Sequence, residues 1–94
     1  MAKLPDYLKF NHETGHCDIT LSRPLKIAGV DVPVLRMREP TVADQEIASD
    51  MGGSDAAREI QTFANLCEQA PDDIRRLPLK DYKRLQAAYV NFID

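Results

Sequence analysis

The chain has no tryptophan, and only three tyrosines and three phenylalanines among its 94 residues. Few large side chains are available to anchor a core, which in a domain this small buries roughly 60–70% of the surface its unfolded chain exposes. A deep, walled catalytic pocket is hard to build from so little material. Cysteine is equally scarce. Cys17 and Cys67 stand far apart in no C-x-x-C spacing, which excludes a disulfide framework and a paired-cysteine zinc site. With no recognisable signal segment, they are expected to be reduced thiols of a cytosolic protein. No apolar run approaches the ~18 residues that a membrane span needs. Positive charge is not in excess either: 12 Lys and Arg stand against 15 Asp and Glu, a net charge of −3. That disfavours a strongly cationic nucleic-acid or membrane-surface binder. G-x-S-x-G, P-loop and Gly-rich dinucleotide motifs are all missing, so no enzyme and no cofactor is expected.

What the chain does have is periodicity. Residues 1–16 show no sustained period and hold Pro5, Asn11 and Gly15; they read as a loosely ordered lead-in to a single α+β domain over 17–94. Leu4, Tyr7, Leu8 and Phe10 supply local anchorage there. From Asp18 the pattern alternates, with Ile19, Leu21, Leu25 and Ile27 on one parity and Asp18, Thr20, Ser22 and Lys26 on the other, as a half-buried strand requires. Pro24 donates no ladder hydrogen bond, so it marks an edge or a break. Gly29 permits a reversal, and a return strand completes an antiparallel hairpin over about 18–38. That return strand carries a phase fault. Val30, Val32 and Val34 are even-numbered whereas Leu35 and Met37 are odd-numbered, so a bulge or kink near Pro33 is expected.

Helical signals take over at Pro40-Thr41. Thr41 with Asp44 is a carboxylate variant of the capping box, opening a helix over 42–51 with Ala43, Ile47 and Met51 in register and Gly52-Gly53 as its stop. Ser54 caps a second helix, 55–69, whose inner stripe is Ala56, Ile60, Phe63, Ala64 and Cys67. Pro71 starts a short one, 71–76. The last, 79–93, is the most regular, Tyr82, Leu85, Tyr89 and Phe92 stepping by three or four with Ala88 beside them. The expected fold is therefore α+β, a hairpin followed by a small bundle of three helices plus a short helical turn.

Each chemical candidate has a plainer reading. His12 and His16 beside Cys17 form the one nitrogen–sulfur cluster, but a zinc site needs three or four ligands in recognisable spacings; two solvated histidines explain it better. Arg75, Arg76, Lys80, Lys83 and Arg84 crowd one stretch, as in a small helical DNA reader. Yet Asp72, Asp73 and Asp81 interleave with them, which favours intramolecular pairing over phosphate binding. The last helix carries Leu79, Val90 and Ile93 off its main stripe, more apolar width than one thin layer covers. Leu79, Tyr82, Tyr89, Val90 and Ile93, with the hairpin edge at Pro24 and Pro33, are the candidate partner-binding residues.

Two stretches, ITLSRPLKIAGVDVPVLRMREPTVADQEIA and ANLCEQAPDDIRRLPLKDYKRLQ, carry a family resemblance. The pattern is a strand ending at Pro24, a turn at Gly29, and a second strand closing on Arg38, Pro40, Thr41 and Asp44. Asn65–Cys67, Pro71 and Asp81-Tyr82 then follow in order. From about Asp18 to Phe92 the chain resembles the small tail assembly chaperones of contractile-tailed phages and Mu-like prophages. The resemblance implies a non-enzymatic factor that binds the tape measure protein in the host cytoplasm. It would keep that protein soluble until tail tube subunits displace it, and would be absent from the mature virion. It further implies a longer frameshifted version of the same protein as a companion. No functional residue of the family maps onto this chain. A structural tail or adaptor component retained in the virion and a small DNA-binding regulator stay open as alternatives, as does an oligomeric state.

Overall fold

Ile27 pairs with Val30 across a two-residue loop, and both loop residues have positive φ, 51° at Ala28 and 81° at Gly29. This is the twist-matched hairpin turn that glycine and asparagine favour; Ala28 occupies it at a steric cost. The computed structural model describes residues 4–94; the first three positions of the expected 1–16 lead-in lie outside them. Around the hairpin the chain runs as β1 (Leu8–Asn11), β2 (His16–Ile27), β3 (Val30–Arg38), α1 (Val42–Asp50), α2 (Asp55–Cys67), α3 (Pro71–Arg75) and α4 (Leu79–Ile93).

The sheet has three antiparallel strands in the order β1-β2-β3, not the two of an isolated hairpin. The added strand comes from the segment expected to be loosely ordered. Leu8 pairs with Ile19 and Asn11 with His16, and Leu8 is buried against the core. Asn11 closes the intervening turn by accepting from the amides of Glu13 and Thr14 through its side chain. Strand pairing therefore overrides the weak local pattern of this segment.

The phase fault in β3 is resolved by a register shift. Cys17 faces Met37 and Ile19 faces Leu35, but past Thr20↔Val34 the pairing resumes at Leu25↔Val32. Leu21 to Pro24 thus oppose Pro33 alone. The mismatch reverses the parity of β3, so odd-numbered Leu35 and Met37 and even-numbered Val32 all turn to the face that carries Leu25. Both prolines sit where the ladder is interrupted and no amide is needed.

The helices lie against that one face. Leu8, Cys17, Ile19, Leu21, Leu25, Leu35 and Met37 from the sheet meet Phe63, Ala64, Leu66 and Cys67 of α2, Ile74 and Leu77 around α3, and Leu85 and Ala88 of α4. The helical part is thus only partly a bundle: its apolar sides are shared with the sheet rather than closed on one another. Ala56, read from the periodicity as inner, is exposed, while Leu66 is buried. The second helix stops at Cys67 because Glu68 takes the left-handed conformation, φ 56°. α1 differs from its neighbours in burying none of its residues. The Thr41–Asp44 capping box holds its start, and Arg38 grips Asp44 through two 2.8 Å hydrogen bonds.

Candidate functional site

β1 begins at Leu8, opposite Ile19, so β2 beyond that residue has a vacated edge on that side. Thr20 still donates its amide to the Tyr7 carbonyl. Beyond it, side chains from the helical layer take over. Arg84 donates to the Thr20 carbonyl at 2.8 Å, Asp81 accepts from the Ser22 amide at 2.8 Å, and Arg76 donates to the Lys26 carbonyl at 2.7 Å. Pro24, in the same even-numbered series, has no N–H to satisfy. Asp81 is fully buried and also accepts from the Ser22 hydroxyl at 3.0 Å. A buried carboxylate persists only when so partnered. The Arg84 guanidinium, 4.2 Å above the centre of the Tyr7 ring, completes the clamp.

With α4 anchored on that side, its opposite flank faces α2. Phe63 packs between Tyr82 and Tyr89, with ring centroids 5.5 and 5.7 Å away. Glu59 accepts from the Tyr82 hydroxyl at 2.5 Å and from the Gln86 amide at 2.8 Å. Burial first, and then the neighbouring Glu59 carboxylate, push the Tyr82 hydroxyl well above its usual pKa, so it stays a neutral donor. Two grooves open beside this network. One, of about 310 Å³, is lined by Ile60, Ile74, Leu77, Leu79 and Tyr82, with Arg75 at its rim. The other, of about 240 Å³, lies where α1 approaches α2 and α4. Phe63, Tyr89 and Ala48 line it together with the polar Gln45, Arg58 and Glu59.

The sequence-derived partner residues therefore separate. Leu79 and Tyr82 share the first groove and Tyr89 lines the second. Val90 and Ile93 are exposed, 54% and 62%, towards the end of α4. Pro24 and Pro33 come together at the ladder interruption on the hairpin, apart from both grooves. Ile60, Ile74 and Leu77 were missed as groove residues because periodicity marks them as apolar without showing where cover runs out. Val42 and Ile47 of α1, 79% and 53% exposed, were missed too. Their signal is an apolar pair on a short helix bracketed by Pro40 and Gly52-Gly53.

The remaining candidates fall into place individually. Cys17 is buried, while His12 is exposed and stacks on Phe10 at 6.4 Å. Adjacent His16 and Cys17 point to opposite sides of β2, and the described residues contain no group of three or more metal-type ligands. Burial pushes the Cys17 thiol up to about 11 and the Cys67 thiol to about 12, so neither is a ready nucleophile. Within the basic stretch, Arg75 pairs with Asp72, Arg76 with Asp73, and Arg84 is committed to Thr20. Lys80 and Lys83 have no ion-pair partner among the described residues. No described helix is long and apolar enough to cross a membrane.

A small α+β scaffold that leaves apolar helix grooves open, with its buried Asp81 carboxylate committed to structure, has the make-up of a protein-binding module. Residues 18–94 match the family model described as phage tail assembly chaperone proteins, E, or 41 or 14. The chain belongs to that family, as the order of its strand, turn and cap motifs implies. No curated protein and no solved structure matches it.

Proposed function

We propose that this protein binds the phage tape measure protein during tail assembly, and that the open apolar groove between α2, α3 and α4 is its client site. The observation that carries the reading is Leu79, which is 69% exposed at the mouth of a groove floored by Ile60, Ile74, Leu77 and Tyr82. Such a groove suits the apolar stripe of an amphipathic client helix, and family membership supports a partner from the tail. In this reading the protein is not an enzyme. It masks the client in the host cytoplasm, and the net charge of −3 keeps the complex soluble. Tail tube subunits then displace it, so it does not remain in the virion. A longer frameshifted version of the chain would present the same groove.

The test is coexpression with the tape measure protein of the same phage. The wild-type chain is expected to raise the soluble fraction of that protein and to co-purify with it. Leu79→Glu, a change at a mostly exposed position, is expected to melt like wild type but to recover less client. Equal recovery by Leu79→Glu moves the site elsewhere, and no binding by wild type refutes the function. Mass spectrometry of purified virions addresses the alternative of a retained structural component, which would be found there.

A further inference from the structure

α1 is nine residues long and buries none of them, although helices this short gain little stability on their own. Only Asp44 and Ala48 are even half-buried. Its two ends are held very differently. At the start, Arg38 and the Thr41 capping box fix Asp44. At the finish no basic residue stands in the last turn, Asp50 sits at the negative end of the helix dipole, and the cap residue Met51 is extended. Gly52 follows with open space around it. The rest of the protein takes hold again at the Gly53 carbonyl, which accepts from Arg58 at 2.7 Å. The side-chain hydrogen bonds of α1 join Asp44 to Arg38 and Thr41, and among the described residues none crosses to α2 or α4. Yet Gln45, Ala48 and Ser49 stand over a groove of about 240 Å³ whose other wall includes Phe63 and Tyr89. A helix lies across that groove without filling it.

This groove and the one given to the client flank a single aromatic stack. Tyr82 borders the client groove, Tyr89 the covered one, and Phe63 packs on both. From Leu79 to Tyr89 along α4 is about 15 Å, nearly three helical turns. We propose that α1 is a displaceable cover on the second half of the client site. Its C-terminal half peels away from the Gly52 end while Arg38 keeps hold of Asp44, and the apolar stripe of the client helix takes its place over Phe63 and Tyr89. This rests on the reading of the α2–α3–α4 groove as the client site. The exchange is of a poorly fitting helix for a better one. α1 offers the groove two polar side chains and one methyl, from Gln45, Ser49 and Ala48; an amphipathic client offers large apolar residues. Peeling breaks few contacts, which is what marks a segment of low local stability. Until a client arrives, the cover limits how much apolar surface is presented to unrelated chains.

Native-state hydrogen exchange tests the cover without any client. Amides in the C-terminal half of α1 are expected to exchange roughly a hundredfold or more faster than those of α2 and α4. Their rates should not change at low urea concentrations, the mark of local opening, whereas α2 and α4 amides accelerate as urea is added. A second experiment fastens the cover shut. Ala48→Cys and Thr62→Cys, both lining the groove, are joined in one chain by a short bismaleimide, the native cysteines being buried. The joined chain is expected to melt no lower than the unjoined one, to lose the fast exchange of α1, and to bind the tape measure protein about tenfold more weakly. The unjoined chain, and Ala48→Cys alone carrying the reagent, are expected to bind as wild type does. α1 amides as protected and as urea-dependent as those of α2 and α4 overturn the proposal. So does a joined chain that binds the client as well as the unjoined one, which confines the client to the open groove. Failure of the function reads differently: the wild-type chain then binds no client whatever the exchange shows, and the occupant proposed for this groove falls with it.

Discussion

Asp81→Ala examines how the helical layer is fastened to the sheet. The carboxylate is fully buried, accepts from the amide and hydroxyl of Ser22 at 2.8 and 3.0 Å, and lies 3.9 Å from the Arg84 guanidinium. Hydrogen bonds to a charged group contribute roughly 1.5–3 kcal/mol each, but Ser22 is exposed and water replaces part of what is lost. A net loss of about 2–4 kcal/mol follows, large against the ~5–15 kcal/mol of a typical domain. At about 4–8 °C per kcal/mol for a domain of this size, the melting temperature should drop by roughly 8–32 °C. Ser22→Ala removes only the hydroxyl and should cost about 1 kcal/mol. In the double variant most of that cost should vanish, because its acceptor is already gone. The assay is urea unfolding followed by circular dichroism. An Asp81→Ala variant within ~0.5 kcal/mol of wild type would refute the claim that this contact, and not general apolar packing, sets the position of α4.

Three further outcomes are expected. Arg38 holds the Asp44 carboxyl well below the usual value of 3.8, against the opposing effect of burial and with added help from Thr41. A carboxyl lowered in the folded state lends stability that is present above its unfolded pKa and lost as pH falls towards its folded one. The deficit of Asp44→Asn should therefore be full at about pH 6 and shrink at about pH 2.5; a constant deficit would count against the ion pair. Ala28→Asn places a residue tolerant of positive φ before Gly29 and should stabilise by about 1 kcal/mol, as read by denaturant midpoint. Cys17 and Cys67, both buried, should react with iodoacetamide at about pH 8 far more slowly in the native than in the urea-unfolded chain. Rapid native labelling of either would show that the core opens locally.

The parts of this fold that were legible in the sequence are those governed by neighbours in the chain. Thr41 and Ser54 announce helix starts because an N-cap side chain serves amides only two or three residues on. The conflict between even-numbered valines and odd-numbered Leu35 and Met37 announces a register shift, since period two cannot serve both sets. β1 was not legible: its four residues adjoin turn formers, and its order comes from pairing with β2. Ser22 and Asp81, 59 positions apart, leave no local trace of their bond. The open groove draws Ile60, Ile74, Leu77 and Leu79 from three helical segments and a connecting turn. Periodicity identifies each as apolar but cannot show that their shared surface lacks cover. The exposed end of α4 was legible in part, because Val90 and Ile93 fall outside the stripe that Leu85 and Ala88 define.

The distribution of exposed groups bears on how binding can be both sticky and reversible. Unpaired strand edges recruit extended chains without much regard for sequence. Here the vacated edge of β2 is occupied by Arg84, Asp81 and Arg76, and Pro24 offers it no donor. The outer strand β3 carries Pro33 and the charged Asp31, Arg36 and Arg38. Apart from Leu4 and the β3 residues Val30 and Val34, the large apolar side chains the protein leaves exposed lie on helices: Leu79 at one groove, Val42 and Ile47 on α1, Val90 and Ile93 on α4. Contacts of that kind depend on the spacing of apolar residues in the partner and involve no shared backbone ladder. Each is modest, and many copies along one extended client would hold it collectively while remaining individually easy to replace. In the proposed function, where the protein later yields to tube subunits, such a surface serves better than an open sheet edge.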